Sequence, residues 1–180
     1  LAHGLSSAAL FIMCGQVYER LHTRDLRLMG GIRGQFQYLP FFLMFFVSAL
    51  VGIPGLGNFI GEFLILMGSF AKFPTFTIIA AISLVFAGLY GLILIHKALF
   101  GTPNEEQKKH YESPLKDLNV RETVILLICA FGLLWLGVYP QSFLDISHSS
   151  MAWLSNSYIP VQEVVDAAQQ VVSQQNVEIQ

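Results

Sequence analysis

Gly52-Ile53-Pro54-Gly55-Leu56-Gly57-Asn58-Phe59-Ile60-Gly61-Glu62-Phe63 interrupts an apolar run that extends from about Tyr38 to Ala71. A straight helix over that run would be about 51 Å long. The hydrocarbon core of a bilayer is only about 30 Å thick. Pro54 lacks a backbone donor and clashes with the preceding turn, and the neighbouring glycines give a helix no side-chain support. The stretch therefore reads as two half-helices joined by unwound backbone near 52–58. Unwound backbone at membrane depth is tolerated where protein or a wet cavity satisfies its polar groups. Broken helices of this kind mark ion or substrate sites in transporters. A proline kink that serves only packing is the competing reading, and the acid that follows, Glu62, favours the functional one.

Outward from the break, the pattern of long apolar runs continues. One extends over 1–18, one over 76–99 and one over 123–139, so about four transmembrane helices are expected, the second of them broken. Leu1 enters its run without a basic leader, which reads as a chain beginning inside a transmembrane helix rather than as a signal peptide. Of the 180 residues, 54% are hydrophobic and 12% charged. Soluble proteins carry about twice that charge. The fold class is accordingly an all-α polytopic membrane protein, with the lipid bilayer as solvent. The net charge of −2 is spread over clusters and forms no basic face for nucleic acid. Residues 141–158 mix Phe143, Ile146, Trp153 and Leu154 with serines and suit a helix lying at the interface. Residues 159–180 form a polar tail.

The ten Lys and Arg residues orient the spans. Arg20, Arg24, Arg27 and Arg33 fall in 19–37, and Lys97, Lys108, Lys109, Lys116 and Arg121 in 97–121. The 72–75 link has only Lys72, and no Lys or Arg follows Arg121. The two basic loops are expected in the cytoplasm, with the 72–75 link and the C-terminus opposite. Asn119 with Glu122 three residues on reads as a capping box that starts the last span.

Glu62 is the leading site candidate. A carboxylate near a span's centre costs about 2.5–3.5 kcal/mol on insertion scales, so it should face protein and have a partner or a task. Asn58, one turn back, is placed to donate to it. Proton handling is the favoured role, and a structural acid bonded to unwound backbone is the alternative. His3 shares a helical face with Ser6, Ser7 and Cys14; its imidazole suits a relay near neutral pH, but a packing role is equally compatible with the residues alone. Lys97 reads as snorkelling to headgroups. His96 beside it marks a possible site of proton uptake or an ordinary interfacial residue, with Ser83 and Tyr90 on the same face. Cys14 and Cys129 lie in apolar runs and read as small buried hydrophobes. Gly57 and Gly61 form a GxxxG at the break, which reads as close backbone approach rather than dimerisation. No nucleophile–base pair, CxxC, phosphate loop or dinucleotide fingerprint is present, so no redox or hydrolytic centre is expected in this chain.

Several stretches together resemble one family. They are His3 to Phe11, Gly15-Gln16-Val17-Tyr18-Glu19-Arg20-Leu21-His22-Thr23-Arg24, Gly30-Gly31, Gly52 to Gly55, Asn58 to Phe63, His96-Lys97-Ala98-Leu99-Phe100-Gly101 and Gly137-Val138-Tyr139-Pro140. The combination is similar to the M-type antiporter-like subunits of bacterial NADH:quinone oxidoreductase (respiratory complex I), over roughly 1–150.

The resemblance implies a fold of fourteen transmembrane helices with two inverted five-helix repeats, of which this chain would be helices eleven to fourteen. It implies proton translocation in the membrane arm, driven by quinone reduction elsewhere. Glu62 would match the acid of the second broken helix, and His3 a histidine feeding a central chain of polar residues. Asn58, Ser7, Pro54, His96 and Lys97 would be supporting residues. Where some repeats place a lysine four residues after the histidine, this chain has Ser7, which removes a lysine relay at that point. NAD, FMN, iron–sulfur clusters and quinone would belong to other subunits. The expected neighbours are L- and N-type antiporter-like subunits, in a bacterial inner membrane. The alternative is a subunit of a multisubunit Na+/H+ antiporter, which shares the fold and needs no redox partner.

Overall fold

A computed structural model describes residues 1–26, 29–101 and 116–154. The expected positions of Arg27, Lys108 and Lys109, the end of the 141–158 helix and the 159–180 tail lie outside the described residues. The described residues are helical with no strand. The chain forms two units, Leu1–Pro140 and Gln141–Gln180.

In the first unit α1 covers Ala2–Leu21, α2 is the short Ile32–Gln35, α3 is Leu39–Val51, α4 is Gly57–Phe70, α5 is Pro74–Ile95 and α6 is Val120–Val138. A π-helical turn, His96–Phe100, continues α5. Local chemistry sets several of these ends. Pro40 and Pro74 lie in the first turns of α3 and α5, where a missing N–H costs nothing. The Asn119–Glu122 capping box forms at the start of α6, with Asn119 N donating to Glu122 Oε2 at 2.8 Å. α5 with its π turn (Pro74–Phe100) and α6 are each long and apolar enough to cross a membrane, while α3 and α4 are shorter apolar helices. α1 has 20 residues but also carries Gln16, Glu19 and Arg20.

The core joins α1, α3, α6 and the π turn through Met13, Phe46, Leu99, Leu126 and Leu133, each wholly or almost wholly buried. α5 presents Phe76, Ile79, Val85, Phe86 and Leu92 outward. An apolar face of that size is incompatible with water and suits lipid or neighbouring helices. Cys14 departs from expectation: it is exposed on α1, and Cys129 is only partly covered. Cys14 lies off the Ser6–Met13 stripe that faces the core. Gly57 does allow close approach, because a Cβ there would lie 2.8 Å from Leu136 Cβ and 2.9 Å from Ala2 Cβ, whereas Gly61 meets open space.

One end of this unit gathers both basic loops. Arg20, at the end of α1, donates to Gln16 O, Lys116 O and Asp117 O, and bonds Glu122 Oε2 at 2.8 Å. The Arg20 and Glu122 side chains are 10% and 14% exposed. Asp117 accepts N–H bonds from Gln37 at 2.7 Å, Tyr38 at 2.8 Å and Leu39 at 3.3 Å, covering the unpaired donors that begin α3. Arg33 stacks on Phe100 with its guanidinium 5.0 Å from the ring centre. The ends of α1 and α5 and the starts of α3 and α6 are thus tied together.

In the second unit, residues 141–154 are helical. Gln141 Nε2 donates to Asp145 Oδ1 at 2.7 Å along that helix.

Candidate functional site: a carboxyl seated at a helix break

The end of α3 makes the seat. Gly52 adopts φ 78°, a left-handed conformation natural to glycine. Its N–H reaches Ala49 O at 3.3 Å, and Ile53 N reaches Ser48 O at 3.2 Å. These paired bonds close the last turn of the helix. Pro54 and Gly55 then occupy the two corners of a turn closed by Leu56 N to Ile53 O at 3.2 Å. Pro presets the first corner, and the second, with φ 96° at Gly55, requires glycine. The chain re-enters helix at Gly57. Pro54 therefore does its work through the backbone, and its own side chain is exposed at the corner.

Glu62, in the second turn of α4, folds back onto this seat. A Cβ built on Gly52 would lie 2.5 Å from Glu62 Oε2 and 3.2 Å from its Cδ. The carboxyl occupies the space that any side chain at position 52 would need. Oε2 is buried and has no hydrogen-bond partner among the described residues. His3 is linked to the break through Ser6, whose Oγ lies 3.1 Å from His3 O and 3.0 Å from Asn58 Nδ2. The His3 ring is exposed, and its Nε2 lies 3.4 Å from Ser7 Oγ.

The expected bond from Asn58 to Glu62 does not form. Asn58, 7% exposed, directs its Nδ2 to Ala49 O at 2.8 Å and to Ser6 Oγ at 3.0 Å. The physical reason lies in the last turn of α3, where Ala49 O receives a 3.3 Å bond from Gly52 N and still has a lone pair to offer. It stands within reach of the first turn of α4 and takes the amide. Ser6 is fully buried and passes its own hydrogen to His3 O at 3.1 Å.

Glu62, His3, Ser7 and Asn58 thus gather around the break that Pro54 marks. His96 and Lys97 are exposed on the π turn at the far end of α5, beside the basic loops. Ser83 bonds its own helix at Ala80 O, 2.6 Å away, and Tyr90 is exposed. The inventory of acids and histidines singled out neither Gly52 nor Ser6. Gly52 is one of several glycines in the sequence, and the Glu62 carboxyl in the space of its missing side chain sets it apart. Ser6 was visible only as a polar neighbour of His3. Glu62 and His3 are the acid and the imidazole nearest the break in the sequence, and no group of three or more His, Cys, Asp or Glu that could hold a metal ion converges among the described residues.

Known proteins are similar to this chain in sequence and in fold. Residues 1–93 match the family described as NADH:quinone oxidoreductase/Mrp antiporter, TM. The chain is 53% identical to NADH-quinone oxidoreductase subunit M of Pseudomonas aeruginosa PAO1 over 84% of its own length and 28% of that protein's. It is 45% identical to the subunit M of Escherichia coli K12, over 87% of this chain and 31% of the relative. Among solved structures, respiratory complex I from Thermus thermophilus with bound NADH contains a chain that superposes with a TM-score of 0.70 at 30% identity, covering 79% of this chain and 29% of that one. The chain therefore spans less than a third of the length of these relatives. With a matching signature over its first half, and close relatives over most of its length, the chain belongs to the NADH:quinone oxidoreductase/Mrp antiporter transmembrane family.

Proposed function

We propose that this chain is the part of a proton-translocating membrane-arm subunit of NADH:quinone oxidoreductase that carries the subunit's second helix break, coupling quinone reduction to proton pumping. The observation that carries the reading is the Glu62 carboxyl, seated against Gly52 at the break with one oxygen buried and without a hydrogen-bond partner among the described residues. Glu62 accepts a proton arriving by way of His3 and releases it toward the outside. Ser7 holds the His3 ring, Asn58 supports the break, and Pro54 shapes it. His96 and Lys97, beside the basic loops, lie at the side from which protons are taken up.

The chain supplies a pathway and a switch, and electron transfer belongs elsewhere. NAD, FMN, iron–sulfur clusters and quinone are held by other subunits, and L- and N-type antiporter-like subunits flank this one in the bacterial inner membrane. Loops 19–37 and 97–121 face the cytoplasm and the C-terminus faces the periplasm. Moving each proton against 100 mV costs about 2.3 kcal/mol, which quinone reduction must supply. A Na+/H+ antiporter subunit is the second reading, because the family description covers both classes. The 53% identity to a subunit M favours the first.

The test places Glu62→Gln and Glu62→Ala in the full-length subunit of the assembled complex. Proton uptake and quinone reduction are measured in the same vesicles. A relay at Glu62 predicts at least a fivefold loss of pumping in both variants, and pumping at the unmodified rate rules the relay out.

A further inference from the structure

We infer that Asn58 is a positioning residue that ties α1 to both halves of the broken helix and thereby sets the approach of His3 to Glu62. The inference rests on the proton-relay reading above. Asn58 stands in the first turn of α4, Ala49 in the last turn of α3 and Ser6 in the second turn of α1. One amide nitrogen bonds both partners, at 2.8 Å and 3.0 Å. A carbonyl oxygen can only accept, so the contact with Ala49 O fixes which side of the amide is Nδ2. The Ser6 hydroxyl gives its hydrogen to His3 O and so meets Asn58 with a lone pair. The bonds run in one direction, from Asn58 to Ser6 to the His3 backbone. Glu62 lies one helical turn beyond Asn58 on α4, seated against Gly52. The hydrogen bonds thus link the start of α1 to both sides of the break.

A packing role alone does not account for Asn58. Its Oδ1 is also buried and meets no donor among the described residues. A buried amide with one unmatched acceptor is a poor choice for stability, and an apolar side chain of the same volume would fill the site without that cost. The amide fixes a distance that an apolar contact leaves free.

The test uses Asn58→Leu, Ser6→Ala and the double variant in the full-length subunit of the intact complex, with Glu62→Gln as reference. Two quantities are read: protons moved per quinone reduced, and the infrared carboxyl band that Glu62→Gln removes. Asn58→Leu is expected to lower the proton ratio at least threefold and to shift the Glu62 band in complex assembled to normal amounts. Ser6→Ala is expected to do the same to a smaller extent, and to add nothing in the Asn58→Leu background. Assembled Asn58→Leu complex with the unmodified ratio and an unshifted band overturns the inference. If Asn58→Leu does not assemble, an unmodified ratio and band in Ser6→Ala overturn it instead. Should Glu62→Gln itself pump normally, the relay reading falls and this inference with it; loss of pumping in Glu62→Gln but not in the Asn58 and Ser6 variants removes this inference alone.

Discussion

At the scale of single residues, the site is a contest for one small volume. The Glu62 carboxyl fills the space a side chain at position 52 would take, and Gly52 also holds φ 78°. A left-handed conformation costs a non-glycine residue roughly 1–2 kcal/mol. Gly52→Ala adds to that a displaced carboxyl. It is expected to lower thermal stability by about 2 kcal/mol and to impair pumping, whereas Gly61→Ala, which meets open space, leaves both within error. Activity and melting of both variants in the assembled complex check this. Glu62 was legible because a carboxylate in an apolar run has few structural excuses. The direction of Asn58 was not. Helical spacing places it near Glu62, but spacing within one helix is silent about the end of another. The nearby Ala49 carbonyl, in the last turn of α3, captured the amide with its second lone pair instead.

At the scale of elements, two devices hold the unit together: the α3–α4 break and the charged knot at the opposite ends of α1, α3 and α6. The break was legible because Pro54 and the glycines act locally. The knot was not, because Arg20 and Glu122 are 102 residues apart and only packing brings them together. Arg20 meets four acceptors with a planar fork, a geometry lysine cannot reproduce. Arg20→Ala leaves a largely buried Glu122 with the Asn119 N–H but no counter-charge and is expected to cost roughly 3 kcal/mol. Arg20→Lys should recover less than half of that, read as the amount of assembled complex and its melting temperature. Asp117 gives a pH signature. Partial burial raises its carboxyl pKa, but N–H donors from Tyr38, Leu118, Gln37 and Leu39 outweigh it and hold the net value below the usual aspartate range. A carboxyl depressed in the folded state contributes stability above its unfolded value of about 3.9, and that contribution is lost as pH falls through the lower folded value. Asp117→Asn should therefore flatten the acid limb of stability and cost about 1 kcal/mol at neutral pH through the weakened cap. Melting measured between pH 3 and 7 compares the two.

At the scale of the whole molecule, fold class was legible from composition, run lengths and loop charge. The knot brings Arg20 and Gln37, from the first basic stretch, together with Lys116 and Asp117, from the second, at one end of the first unit. With the native Cys14 and Cys129 replaced, single cysteines should confirm the sidedness. An impermeant maleimide added to intact cells is expected to label position 72 and to leave positions 33 and 116 unlabelled, and the reverse pattern would invert the topology. The chain spans less than a third of its relatives' length. The central claim is that this carboxyl gains and loses a proton during turnover. The most direct measurement is the infrared difference spectrum of the intact complex between rest and NADH-driven turnover. A relay at Glu62 predicts a carboxyl band that shifts in D2O and disappears in Glu62→Gln; a spectrum unchanged by that substitution would contradict it.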